Sequence, residues 1–113
     1  MASVTKESDI KLQVSFYDCE GVLTPVDENP FEIKFYTTSI TNAITCSYNG
    51  ATFSTNCKVD PLDDTKLICI LNQPNFTPGS LLAKITVLYP DIDFPDSDYK
   101  KVRTYSTNTT ITD

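Results

Sequence analysis

The sequence predicts an all-β chain, folded as a seven- to eight-stranded antiparallel β-sandwich of immunoglobulin-like or jelly-roll-like type. Short runs alternate apolar and polar residues with a period of two, the mark of strands with one buried face. Thr is abundant and Tyr and Phe occur 6 times each, and these side chains suit a pleated, half-buried surface. No stretch shows a 3.6-residue apolar period, so regular short strands without helices mean a sandwich or a barrel.

The elements follow in order. Met1 to Asp9 is polar and reads as a flexible N-terminal arm, a device that can reach a neighbouring subunit, and residues 10–113 read as one sandwich domain. Ile10, Leu12, Val14 and Phe16 alternate with Lys11, Gln13, Ser15 and Tyr17, which gives the first strand. Asp18-Cys19-Glu20-Gly21 carries turn chemistry, and Val22-Leu23 is a brief strand ahead of a proline-stiffened loop. Phe31, Ile33 and Phe35 alternate with Glu32, Lys34 and Tyr36. Residues 43–48 and 51–59 flank Asn49-Gly50, which predicts a hairpin closed by a type I′ turn. Leu67 to Leu71 is continuously apolar, which predicts a central strand buried on both faces. Leu81 to Tyr89, stopped by Pro90, and Tyr99 to Ile111 complete the set. The expected core comprises Leu12, Val14, Phe16, Phe31, Ile33, Phe35, Ile68, Ile70, Ile85 and Val87.

Length and composition narrow the functional classes. At 113 residues, 40% hydrophobic and 21% charged, the chain supports one core and does not read as disordered. Its net charge is −6, and its bases cluster only at Lys100, Lys101 and Arg103, so a phosphate-binding stripe is missing and nucleic acid is not an expected partner. The N-terminus lacks the apolar segment of a secretory signal, and no run is long enough to span a bilayer, so a membrane is not expected and the product is read as soluble and made in the cytoplasm. In that reducing compartment Cys19, Cys46, Cys57 and Cys69 read as buried free thiols. They form no C-x-x-C, and no His accompanies them, which disfavours a structural zinc.

No constellation points to catalysis, and the chain is not expected to be an enzyme. There is no His to act as base, and Asp63-Asp64 lies in loop sequence where a desolvated carboxylate pair is disfavoured. Glycine-rich phosphate motifs are missing, and no cofactor is implied. The loop Asp91-Ile-Asp-Phe-Pro-Asp-Ser-Asp98 holds four carboxylates in eight residues, a possible oxygen set for Ca²⁺, but it departs from the EF-hand order. The better reading is a solvated acidic loop whose Phe94 plugs the end of the sandwich. The sequons at Asn75 and Asn108 have no expected role in a chain without an export signal.

Taken together, Phe31-Glu-Ile-Lys-Phe-Tyr-Thr37, Thr77-Pro-Gly-Ser-Leu-Leu82, Pro90-Asp-Ile-Asp-Phe-Pro-Asp96 and Thr109-Thr-Ile111 form an ordered series. With the opening Leu12-Gln-Val-Ser-Phe-Tyr-Asp-Cys-Glu-Gly21, this series resembles a small β-sandwich virion module of phages of Bacteroidales, including crAss-like phages. The resemblance implies a non-enzymatic virion structural protein made in the host bacterial cytoplasm, a capsid decoration or head-fibre anchoring protein that binds capsid or appendage proteins and forms a homo-oligomer. Proteins of that family often continue into fibre or receptor-binding regions and this chain stops where the module stops, so a decoration, connector or fibre base is expected rather than a receptor-binding tip. A baseplate or tail adaptor is the alternative of the same class, and a carbohydrate-binding β-sandwich that of another, weakened by the absence of Trp. Tyr offers contact area and a hydroxyl together, and Tyr36, Tyr48 and Tyr105 are the candidate interface residues.

Overall fold

The computed structural model describes residues 2–17, 20–38, 43–72, 74–95 and 98–112, and these form an all-β chain with two sheets. In spatial order the first sheet holds β1 (Ala2–Thr5), β9 (Asp98–Thr112), β8 (Gly79–Pro90), β4 (Phe31–Tyr36) and β5 (Ile44–Tyr48). The second holds β3 (Leu23–Thr24), β2 (Ile10–Tyr17), β7 (Asp63–Leu71) and β6 (Cys57–Asp60). The expected turn residues Asp18 and Cys19, and Asp96 and Ser97 of the acidic loop, lie outside the described residues. Within the segment read as an arm, Ala2–Thr5 runs parallel to Thr109–Thr112, so β1 adds a strand to the eight elements of the sequence reading.

Alternation builds the core. Phe31, Ile33 and Phe35 of β4 are buried, while Glu32 lies outside and Lys34 pairs with it at 3.5 Å. Directly opposite residues of an antiparallel pair share a face, so Cys46 of β5 joins Ile33, and Ala83 of β8 joins Phe35. Leu67, Cys69 and Leu71 of β7 supply the second sheet's share, and both sheets contribute to one apolar cluster. At one end Phe31 lies 5.1 Å from Phe16 and 6.0 Å from Tyr48 between ring centroids, and Tyr48 stacks on Phe53 at 4.4 Å. These separations favour aromatic attraction beyond simple burial.

The structure corrects two of the expectations. Leu67 to Leu71 is not buried on both faces: Leu67, Cys69 and Leu71 are buried, Ile68 is half-buried and Ile70 is 39% exposed. Ile68 and Ile70 therefore leave the expected core, because no described element covers the outer side of the second sheet. Leu12, Val14, Phe16, Ile85 and Val87 pack against the core only as half-buried side chains.

The Asn49-Gly50 turn is also different. Asn49 has no positive φ, and its side-chain oxygen accepts the N–H groups of Ala51 and Thr52, both at 2.8 Å. Satisfied in that way, it closes a longer loop with Tyr48 opposite Phe53 instead of a two-residue I′ turn, although Gly50 does take φ 98°. The two flanking runs then part: β5 stays in the first sheet and β6 enters the second. Ser54 and Asn56 tie this crossing to β5. The Ser47 N–H donates to Ser54 Oγ at 3.0 Å, and Asn56 Nδ2 donates to the Thr45 carbonyl at 2.9 Å.

Candidate functional site

The two sheets do not cover each other fully, and the uncovered part is an open cleft of about 610 Å³. Its floor is the inner face of β8, with Ala83, Ile85 and Val87, beside the inner residues of β9. Val87 stands opposite Lys101, Ile85 opposite Arg103 and Ala83 opposite Tyr105, so two cations and a phenol share the floor with apolar neighbours. Neither cation has an ion-pair partner among the described residues. The wall is β2, whose residues from both faces, Leu12 and Gln13 to Phe16 and Tyr17, line the cleft, so the strand meets it edge-on.

The hydrogen-bond pattern shows which backbone groups that edge presents. The Ile70 N–H donates to the Asn56 carbonyl at 2.8 Å, which turns the backbone groups of Ile70 toward β6. By alternation Leu67 and Cys69 turn theirs toward β2 and bond Val14 and Leu12. Lys11, Gln13 and Ser15 consequently direct their N–H and C=O groups away from β7. β3 reaches only Phe16 and Tyr17, so no strand lies beside β2 over residues 11–15 among the described residues.

The candidate interface tyrosines do not share a face. Tyr36 follows buried Phe35 and so points outward, whereas Tyr48 lies with Phe31 in the inner aromatic group. Tyr105 is 50% exposed over the cleft, and β8 and β4 separate its strand from that of Tyr48. Of the three, Tyr105 alone lines the cleft. In the sequence Lys101 and Arg103 stand out only as members of the short basic cluster with Lys100. Alternation along β9 would have placed them on Tyr105's face, but nothing local tells that this face is uncovered.

The remaining candidate groups serve the fold. Cys46, Cys57 and Cys69 are buried free thiols, with Cys57 directly opposite Cys69 and Cys46 reaching them from the other sheet. The hydrogen bond with Cys46, followed by burial, holds Cys69 well above the ordinary thiol range, and burial pushes Cys57 up. Sharing that hydrogen bond lowers Cys46. Asp63 accepts Thr65 Oγ1 at 2.6 Å and the Thr65 N–H at 3.0 Å, which lower its carboxyl and mark it as a turn former at the start of β7. Phe94 does not plug the sandwich end: it is 41% exposed and packs edge-on against Tyr99 at 5.5 Å, on the projecting end of the β8–β9 hairpin. In the acidic loop the Asp91 carboxylate accepts the Asp93 N–H at 3.0 Å, and among the described residues no three His, Cys, Asp or Glu side chains are grouped to hold a metal ion. No protein-family model matches the chain, and no curated protein or solved structure matches it either.

Proposed function

We propose that the chain is a non-enzymatic virion structural protein of a phage, a capsid decoration or head-fibre anchoring protein that works through protein–protein contacts. The cleft is the observation that carries the assembly part of this reading. In a protein this small, Leu12, Val14, Phe16, Ile85 and Val87 remain only half-buried around an open space, and burying such surface is what drives association. The projecting hairpin end adds Ile92, which is 91% exposed. The virion part rests on the ordered motifs from Phe31 to Ile111 and their resemblance to phage sandwich modules. We read the two sheets as a β-sandwich of immunoglobulin-like or jelly-roll-like type, with a baseplate or tail adaptor as the alternative role.

Tyr89 and Tyr105 in the cleft favour a second reading, a carbohydrate-binding domain, since aromatic faces stack on sugar rings. The test is to tag the protein in an infected culture and assay purified particles. Tagged protein at a fixed copy number per particle is the expected result. If particles lack it and the purified protein binds glycans on an array, the structural reading falls and the carbohydrate reading replaces it.

A further inference from the structure

Over residues 11–15 the edge of β2 turned away from β7 has no strand beside it among the described residues, and Ile85 and Val87 stand on the cleft floor opposite. We propose that this edge accepts an extended segment of a partner polypeptide as an added strand. The segment's alternate apolar side chains seat on Ile85 and Val87, and one carboxylate meets Arg103 and Lys101. The inference rests on the reading of the protein as one that works by assembly, and it names the surface and the kind of partner.

Backbone chemistry selects a strand over a small amphiphile. The N–H and C=O groups of Lys11, Gln13 and Ser15 form a row with strand spacing, and only another extended backbone matches such a row group for group. At about 3.3 Å per residue, positions 11–15 accommodate a strand of about the usual length. An added strand also continues the second sheet over the floor of the first, so its inward side chains land where the sheets now fail to cover each other. Charge then narrows the sequence. Arg103 faces the same side as Ile85 and Lys101 the same side as Val87, both without ion-pair partners among the described residues, so an inward carboxylate gains where an inward lysine is repelled. A partner segment therefore alternates apolar and polar residues and places one Asp or Glu among its inward positions.

The probe is a panel of acetylated, amidated decapeptides that alternate apolar residues with threonine, each made with Glu or with Lys at one inward position. They are titrated into the full-length, isotope-labelled protein. Binding of the Glu peptides is expected to slow amide exchange at Lys11, Gln13 and Ser15 by about tenfold or more, and to leave Leu12 and Val14 unchanged because those amides already bond β7. The Lys peptides are expected to bind about tenfold more weakly, and Arg103→Glu is expected to erase that preference. Gln13→Pro removes an N–H that points to the open edge, so it keeps the ladder to β7 while abolishing peptide binding. If Gln13→Pro unfolds, the exposed Arg103→Glu variant still decides the matter. The proposal is overturned if no peptide protects these amides at millimolar concentration, if Glu and Lys peptides bind alike, or if sodium dodecanoate fills the cleft and no peptide does. Peptide binding judges the edge independently of the virion: folded Gln13→Pro protein that still enters particles at the wild-type copy number removes the strand-addition site and leaves the assembly reading standing.

Discussion

Phe35 and Ile70 are both large apolar residues in strands, yet their surroundings are opposite. Phe35 has no exposure and lies between the sheets, whereas Ile70 is 39% exposed on an uncovered face. Phe35→Ala is therefore expected to cost about 3–5 kcal/mol, through lost transfer energy and the cavity left behind. Ile70→Ala is expected to cost less than about 1 kcal/mol. Chemical denaturation of the two variants checks both, and a Phe35→Ala cost below about 1 kcal/mol would mean that the inner face of β4 is misassigned. The thiols give a second test at this scale. Cys46, Cys57 and Cys69 are buried, with Cys57 and Cys69 raised, so neutral iodoacetamide is expected to leave them unlabelled in the folded protein. After denaturation without reductant, mass spectrometry is expected to count four alkylated cysteines, Cys19 included. A count below four would show that a disulfide had formed.

At the scale of elements, the strands from Leu67, Leu81 and Tyr99 were legible as strands as well as the strictly alternating ones, but only strict alternation also told which face turns inward. Ile10 to Tyr17 and Phe31 to Tyr36 carry one apolar face each, and the structure places β2 and β4 at those bounds. Leu67 to Leu71 has no such alternation, so the sequence could not tell which of its residues faces inward. That depends on whether something covers the other side, which is a nonlocal fact. Asn49-Gly50 misled for a different reason. The dipeptide permits a I′ turn, but the Asn49 side chain can instead accept two backbone N–H groups, and here it does. Asn49→Ala is expected to remove both bonds and cost about 1 kcal/mol, measured by thermal unfolding; an unchanged midpoint would mean that Gly50 alone sets the loop. The open edge of β2 was beyond local pattern altogether, since it arises because β3 is two residues long and pairs only with Phe16 and Tyr17.

Across the whole molecule, the two-sheet architecture follows from the shortage of polar–apolar patterns that a helix could use. The cleft follows from a mismatch of the two sheets. A five-stranded layer with a twelve-residue β8 and a fifteen-residue β9 extends past a four-stranded layer whose own strands are shorter. The candidate site was legible only in part: Tyr105 lies in it, while Tyr36 and Tyr48 lie elsewhere, and Lys101 and Arg103 gain meaning only once β9 is seen without a facing strand.

The parallel pairing of β1 with β9 also affects how the fold is reached. Ala2 must find Thr109 and Thr5 must find Thr112, so the first strand in the sequence has no partner until the last strand is in place. During translation that segment waits, unpaired, while β2, β4 and the long β8–β9 hairpin are made. Closing so large a loop is slow compared with forming any hairpin, because the entropy of the intervening chain must be lost before the contact forms. The order of synthesis and the order of assembly are thus inverted at this edge: β1 is made before β9, yet it is fixed only once β9 is in place.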